Sequence, residues 1–168
     1  TMASNNELRR EFAKSWELGA EDFWKMKFKN DQYLLCHDSL ENIYFQMCTR
    51  DDITIQYTGK VVEANSQFNI GIQGHCIYKG PQWGVVGRPY IEREVITFGE
   101  AGPGNCKLGY YWAMAEKRAM DRAILKGIDA YRLFYSNVEL DDEVKEPGKP
   151  APDTVDKIKE ITKHGKSK

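Results

Sequence analysis

The sequence predicts an α+β fold: an antiparallel sheet of three to four strands followed by one long basic helix, a β-β-β-α core, with helices ahead of it and a flexible C-terminal tail behind. Three observations predict this. Between Asp52 and Phe98 three β-type runs follow one another with no helical pattern between them, so hairpins can join the strands but the crossovers of a parallel sheet cannot. From Leu108 to about Tyr135 the periodicity changes to that of a helix, the longest such signal in the chain. The 168 residues, 41% hydrophobic and 29% charged, suit one compact core rather than a disordered chain.

Ser4-Asn5-Asn6-Glu7 has the spacing of a capping box, and Leu8, Phe12 and Trp16 recur every four residues after it, so a first helix runs up to Gly19. Phe23 to Lys29 alternates aromatic and basic residues, which either pairs rings with cations for a ligand or, the preferred reading, makes an amphipathic edge strand whose lysines discourage aggregation. Asp38 is placed to cap a second short helix carrying Leu40, Ile43, Tyr44 and Met47. Three strands follow: one from Ile53 with a bend at Thr58-Gly59, one from Phe68 to Tyr78, and one from about Tyr90 to Phe98. Between the last two, Lys79 to Gly84 reads as a loop with Trp83 exposed, either as a base-stacking platform or as a subunit contact. Residues 1–136 form the predicted domain. Residues 137–168, rich in proline and mixed charge, form a solvated tail with a short helix at Thr154 to Thr162.

On a helical projection, Ala113, Met120, Ile124, Ile128 and Tyr131 share an arc of about 80° that should face the core. Arg118, Arg122 and Lys126 fall nearly opposite, a stripe of like charges that a purely structural helix would normally intersperse with acids. Tyr110, Tyr111 and Trp112 stand just upstream. Rings beside cations are what a single-stranded nucleic acid needs, since bases stack on the rings while phosphates meet the charges. The overall charge of −1 excludes a uniformly basic nucleic-acid binder but not such a local stripe.

Phe98-Gly99-Glu100-Ala101 with Asn105-Cys106-Lys107, and then the gapless run from Trp112 through Ala115-Glu116-Lys117-Arg118-Ala119 to Lys126, resembles bacteriophage single-strand annealing proteins of the Rad-fifty-two superfamily. The resemblance covers about residues 52–135. It implies a β-β-β-α core whose sheet and basic helix line a groove for one DNA strand, within a homo-oligomeric ring or helical filament. It further implies that Arg118, Arg122 and Lys126 contact phosphate, with Lys117 and Lys107 as weaker contacts and Arg88 and Arg93 supplying the opposite wall. The expected activity is single-stranded DNA binding and annealing of complementary strands in phage-type recombination and repair, without ATP and without enzymatic chemistry. A phage exonuclease or a host single-strand binding protein is the further partner such a protein would meet. This sequence departs from the pattern in its net acidity, in Asp129 close to the stripe, and in a tail without a recognisable partner motif.

Other chemistry finds less support. Glu116 and Asp121 are about 140° apart on a helix, so with Glu100 they do not form a two-metal nuclease site. Cys36, Cys48, Cys76 and Cys106 stand singly, without a zinc knuckle, and read as reduced thiols. His37-Asp38 are neighbours that cannot easily face one site, and His75 reads as a structural histidine. The loop from Gly99 to Asn105 lacks a phosphate-cradling Gly-Lys-Ser/Thr ending. The expectation is therefore a protein with no metal, no cofactor and no catalytic residue. No run is apolar enough to cross a membrane and no leader pattern opens the sequence, from which a cytoplasmic location is expected. Two other readings remain: a single-stranded DNA-binding accessory protein without annealing activity, and an adaptor that binds a protein through its helix and tail.

Overall fold

The computed structural model describes residues 4–25, 33–65, 69–107 and 109–140. Its helices are α1 (Asn5–Ser15), α2 (His37–Cys48) and α3 (Tyr111–Gly127); its strands are β1 (Phe23–Lys25), β2 (Tyr33–Leu35), β3 (Thr54–Asn65), β4 (Asn69–Pro81), β5 (Tyr90–Ala101) and β6 (Tyr135–Ser136). The capping box forms as its spacing predicts: the Glu7 amide donates to Ser4 Oγ at 3.2 Å and the Ser4 amide to the Glu7 carboxylate at 2.7 Å. Helix α1 stops before Gly19, with Glu17 taking the left-handed turn at φ 54°. Cys36, not Asp38, is the N-cap of α2; Asp38 lies inside the first turn, where its charge suits the helix dipole.

Strands β3, β4 and β5 make an antiparallel meander in that order. The expected bend at Thr58-Gly59 does not occur, since both residues continue the ladder opposite His75 and Gly74; the irregularity is a bulge between Val61 and Glu63. Along β4, Ile70, Ile72, Cys76 and Tyr78 alternate inward, so the central strand presents one buried face. A second, smaller sheet in the order β1-β2-β6 lies outside the expected architecture, with β6 parallel to β2 through Leu34 opposite Tyr135. Of the predicted edge strand, Phe23–Lys25 is formed; residues 26–29 and the tail helix at 154–162 lie outside the described residues.

Helix α3 packs on the inner face of the meander unusually closely. Ala115, Ala119 and Ala123 lie one turn apart and fully buried, and the first two meet glycines on the strands. A β-carbon on Gly99 would stand 2.3 Å from the Ala115 carbonyl oxygen and 2.3 Å from the Ala119 amide nitrogen; one on Gly74 would stand 2.7 Å from the Ala119 oxygen. Backbone cannot yield as a side chain can. Gly99→Ala is therefore expected to lower stability by about 3 kcal/mol, read from the urea unfolding midpoint, whereas an unchanged midpoint would mean that helix and strand are not in contact there.

The helix ends at Gly127, earlier than the expected Tyr135. Asp129 turns left-handed at φ 60°, its amide donates to the Lys126 carbonyl and the Ala130 amide donates to the Leu125 carbonyl at 2.8 Å, the hydrogen bonds of a Schellman stop. Gln82 Nε2 holds the buried Asp129 carboxylate at 2.8 Å, which fixes an aspartate where glycine is commoner. The main core gathers Phe12, Trp16, Phe23, Leu35, Leu40, Ile124, Leu133 and Phe134 from both sheets and all three helices. Trp83, expected at an exposed loop tip, belongs to it: the ring is 3% exposed and stands 5.5 Å from Phe12 and 5.6 Å from Trp16, because β4 continues to Pro81 and turns the loop back over α1. The packed region continues past Ser136, with Val138 buried.

Candidate functional site

The cation stripe of α3 does not face solvent as a unit. Arg118 is 4% exposed. Its Nε donates to the Val138 carbonyl at 2.8 Å, Nη1 to the Glu100 carbonyl at 2.8 Å and to Asn105 Oδ1 at 3.1 Å, and Nη2 to the Asn105 carbonyl at 2.8 Å. One turn on, Arg122 is half-buried; it forks onto Glu139 with two bonds of 2.6 Å and gives Nη1 to the Phe98 carbonyl. The Glu139 carboxylate holds its guanidinium above the ordinary arginine value. Phe98 and Glu100 are alternate residues of β5, so their carbonyls turn away from β4 at the free edge of the sheet. The two arginines thus tie α3 around that edge. A projection with one buried arc could not anticipate this, because α3 is covered by the meander on one side and by residues 101–106 and 136–139 on another. The predicted core arc holds at its middle and fails at its ends: Ile124 and Ile128 are fully buried and Met120 packs against the core, whereas Ala113 is exposed and Tyr131 is 40% exposed.

Lys126 remains exposed, at the last turn of α3. Beside it opens a pocket of about 470 Å³ whose apolar floor is Leu34, Leu125 and Phe134 and whose walls include Arg122, Tyr131 and Tyr135. The two tyrosines are 40% and 50% exposed, so rings, an amine and a guanidinium share one opening. This arrangement offers stacking surfaces for bases next to the Lys126 charge for phosphate, while Glu139, which also lines the opening, already pairs with Arg122. Sequence reasoning missed Tyr135 and assigned Tyr131 to the core because it carried the helix too far. The usable signal was a pair of tyrosines four residues apart beyond Gly127.

The other predicted contacts are dispersed. Lys117 is exposed and lines a smaller pocket of about 240 Å³ with Trp24, His37 and Asn137. Tyr110 and Trp112 are exposed near the start of α3, Tyr111 is half-buried against the cluster of Ala101, Cys106 and Val138, and Lys107 is exposed in the loop before the helix. Arg93 Nη1 donates to the Lys126 carbonyl at 3.0 Å and lies 3.4 Å from Asp129, where it caps the C-terminal end of α3. Arg88 sits on a distant loop, bonded to Ser15 Oγ at 3.1 Å. Arg122 and Lys126 are therefore brought together, whereas Arg118 is interior and Arg88 is elsewhere.

His37 finds a carboxylate, but not that of Asp38. Its Nδ1 lies 2.8 and 2.9 Å from the two oxygens of Asp121, a fully buried residue that also accepts from Ser136 Oγ. Burial opposes the charged imidazole, yet the hydrogen bond and charge of Asp121 outweigh it and raise the His37 pKa. Ser136 donates to the carboxylate rather than to an imidazole nitrogen, so this is a buried ionic junction between α2, α3 and β6 and not an activated nucleophile. Burial pushes the Cys76 thiol up to about 12, leaving it unreactive. Among the described residues no three of His, Cys, Asp and Glu are grouped to hold a metal ion, and no helix is long and apolar enough to cross a membrane. No protein-family model matches this chain, and no curated protein matches it.

Proposed function

We propose that this protein binds single-stranded DNA over the C-terminal turn of α3 and anneals complementary strands as a homo-oligomer, without ATP. The observation that carries the reading is the opening where Lys126 and Arg122 stand beside the exposed rings of Tyr131 and Tyr135. The meander followed by a helix, and the sequence resemblance over residues 52–135, support it further. Lys126 supplies a mobile point charge for a phosphate, while the two rings supply sequence-tolerant stacking. Annealing needs no bond chemistry. Neutralising backbone charge lowers the repulsion between strands, and a lattice of subunits raises the local concentration of complementary sequence.

The test is fluorescence anisotropy with a labelled oligonucleotide. Lys126→Glu combined with Tyr135→Ala is expected to weaken binding by about 30-fold or more, since loss of one stacked base alone is worth roughly 1–3 kcal/mol, with an unchanged circular dichroism spectrum. Affinity should fall steeply as salt rises. Unaltered affinity in a folded double variant would remove this site from the reading. A strand-pairing assay then separates annealing from simple binding.

A further inference from the structure

A second opening, sharing no lining residue with the Lys126 pocket, lies where the ends of α1 and α2 meet the loop after β4. It has a volume of about 480 Å³ and is lined by Ser15, Arg50, Asp52, Trp83, Gly87 and Arg88. Its two guanidiniums are each laid over an indole, Arg50 at 5.3 Å from the Trp16 centroid and Arg88 at 5.1 Å from that of Trp83, and the two indoles are 5.6 Å apart. Arg50 gives Nε and Nη2 to Asp52 at 3.0 and 2.9 Å, and Arg88 gives Nη1 to Ser15 Oγ at 3.1 Å. Arg50 Nη1 and Arg88 Nε and Nη2 have no acceptor among the described residues. Asp52 steadies Arg50, and the lining keeps one net positive charge.

The backbone adds an independent observation. Gly87 at φ 78° and Arg88 at φ 44° are consecutive left-handed residues, and Arg88 precedes Pro89. An arginine is strained in that conformation, and a following proline disfavours helical values of the residue before it. If the loop needed only its shape, glycine would serve better at both positions. Strain together with two cations in one polar pocket is a pattern found where a ligand is held.

We propose that this pocket binds a phosphate monoester. A carboxylate is planar and is satisfied by a single guanidinium fork. A phosphate is tetrahedral and presents oxygens in several directions, which suits donors arriving from two separate arginines; the Ser15 hydroxyl, which donates to the Glu11 carbonyl, accepts from Arg88 and so orients it. The group is supplied either by a free nucleotide or by the phosphorylated end of a strand. The proposal is independent of the strand-binding reading at Lys126.

The test titrates the full chain with inorganic phosphate at constant ionic strength and follows tryptophan emission, because Trp16 and Trp83 lie beneath the two guanidiniums. A saturable change is expected in the wild type and in Lys60→Ala, an exposed cation elsewhere. Arg88→Gly should weaken phosphate binding at least tenfold while keeping or raising Tm, because glycine accepts the left-handed turn. A 5′-phosphorylated thymidine oligonucleotide that displaces phosphate better than its 5′-hydroxyl twin assigns the group to a strand end; displacement by a nucleoside monophosphate without that preference assigns it to a free nucleotide. Absence of a saturable change in the wild type, or Arg88→Gly binding phosphate as the wild type does, overturns the proposal.

Discussion

Arg118→Ala is expected to cost about 3–5 kcal/mol of stability, enough to unfold much of the population of a domain of this size. The loss is not that of a surface charge. Removing the guanidinium strands the carbonyls of Val138, Glu100 and Asn105, which it satisfies together, and leaves a void beneath α3. Arg118→Lys should recover little, because one ammonium cannot reach three carbonyls that lie along a planar fork. Lys126→Ala, by contrast, should change stability by less than about 0.5 kcal/mol, since that side chain is exposed. Chemical denaturation of the three variants checks this. A cost below about 1 kcal/mol for Arg118→Ala would mean that the guanidinium is free in solution, as the helical projection first suggested. Strand-binding assays on any variant that includes Arg118 would otherwise report unfolding rather than a lost phosphate contact.

The second large effect lies at the junction of His37, Asp121 and Ser136. Asp121→Ala should cost about 3–5 kcal/mol, because it leaves a buried imidazole and a buried hydroxyl without their shared acceptor. The junction also imposes a pH dependence. Asp121 raises the pKa of His37 in the fold, with Glu41 3.5 Å from Nε2 adding to it and Lys117 opposing it. A folded value above the unfolded one means that protonation favours the fold. This contribution is fully present below about pH 6.5 and is lost as pH rises through the folded value. Burial likewise pushes the Asp121 carboxyl up, against the hydrogen bonds from His37 and Ser136 that favour its charged form. Urea midpoints should therefore decline from pH 6 toward pH 8, and His37→Gln should flatten that decline. A wild-type midpoint that rises over the same range would contradict the assignment.

What the sequence made legible was local. The Ser4–Glu7 box, the period-two runs of β3 to β5 and the helical period of α3 each depend on residues within a few positions of one another. What stayed hidden depends on distant partners. His37 meets Asp121 from 84 residues away, so a search among neighbours finds Asp38 instead. β2 and β6, of three and two residues, are too short to carry a period, and their parallel pairing is made through packing. Arg118 and Trp83 carry charge and aromaticity that read as surface features, yet both are buried because each is covered by a segment that the local pattern does not name. At the candidate site, Arg122 and Lys126 were visible in the stripe; Tyr135 was masked by the misplaced end of the helix.

The arginine ties along β5 also constrain symmetry. With the Phe98 and Glu100 carbonyls already accepting from Arg122 and Arg118, the β5 margin is a poor template for a strand from a neighbour. Head-to-tail growth, β3 of one copy onto β5 of the next, would have to break those bonds. Extension of the meander is then left with β3 against its own copy, a two-fold arrangement that is complete at two chains. A closed ring of more subunits would consequently not run as one continuous hydrogen-bonded belt through the meander sheets.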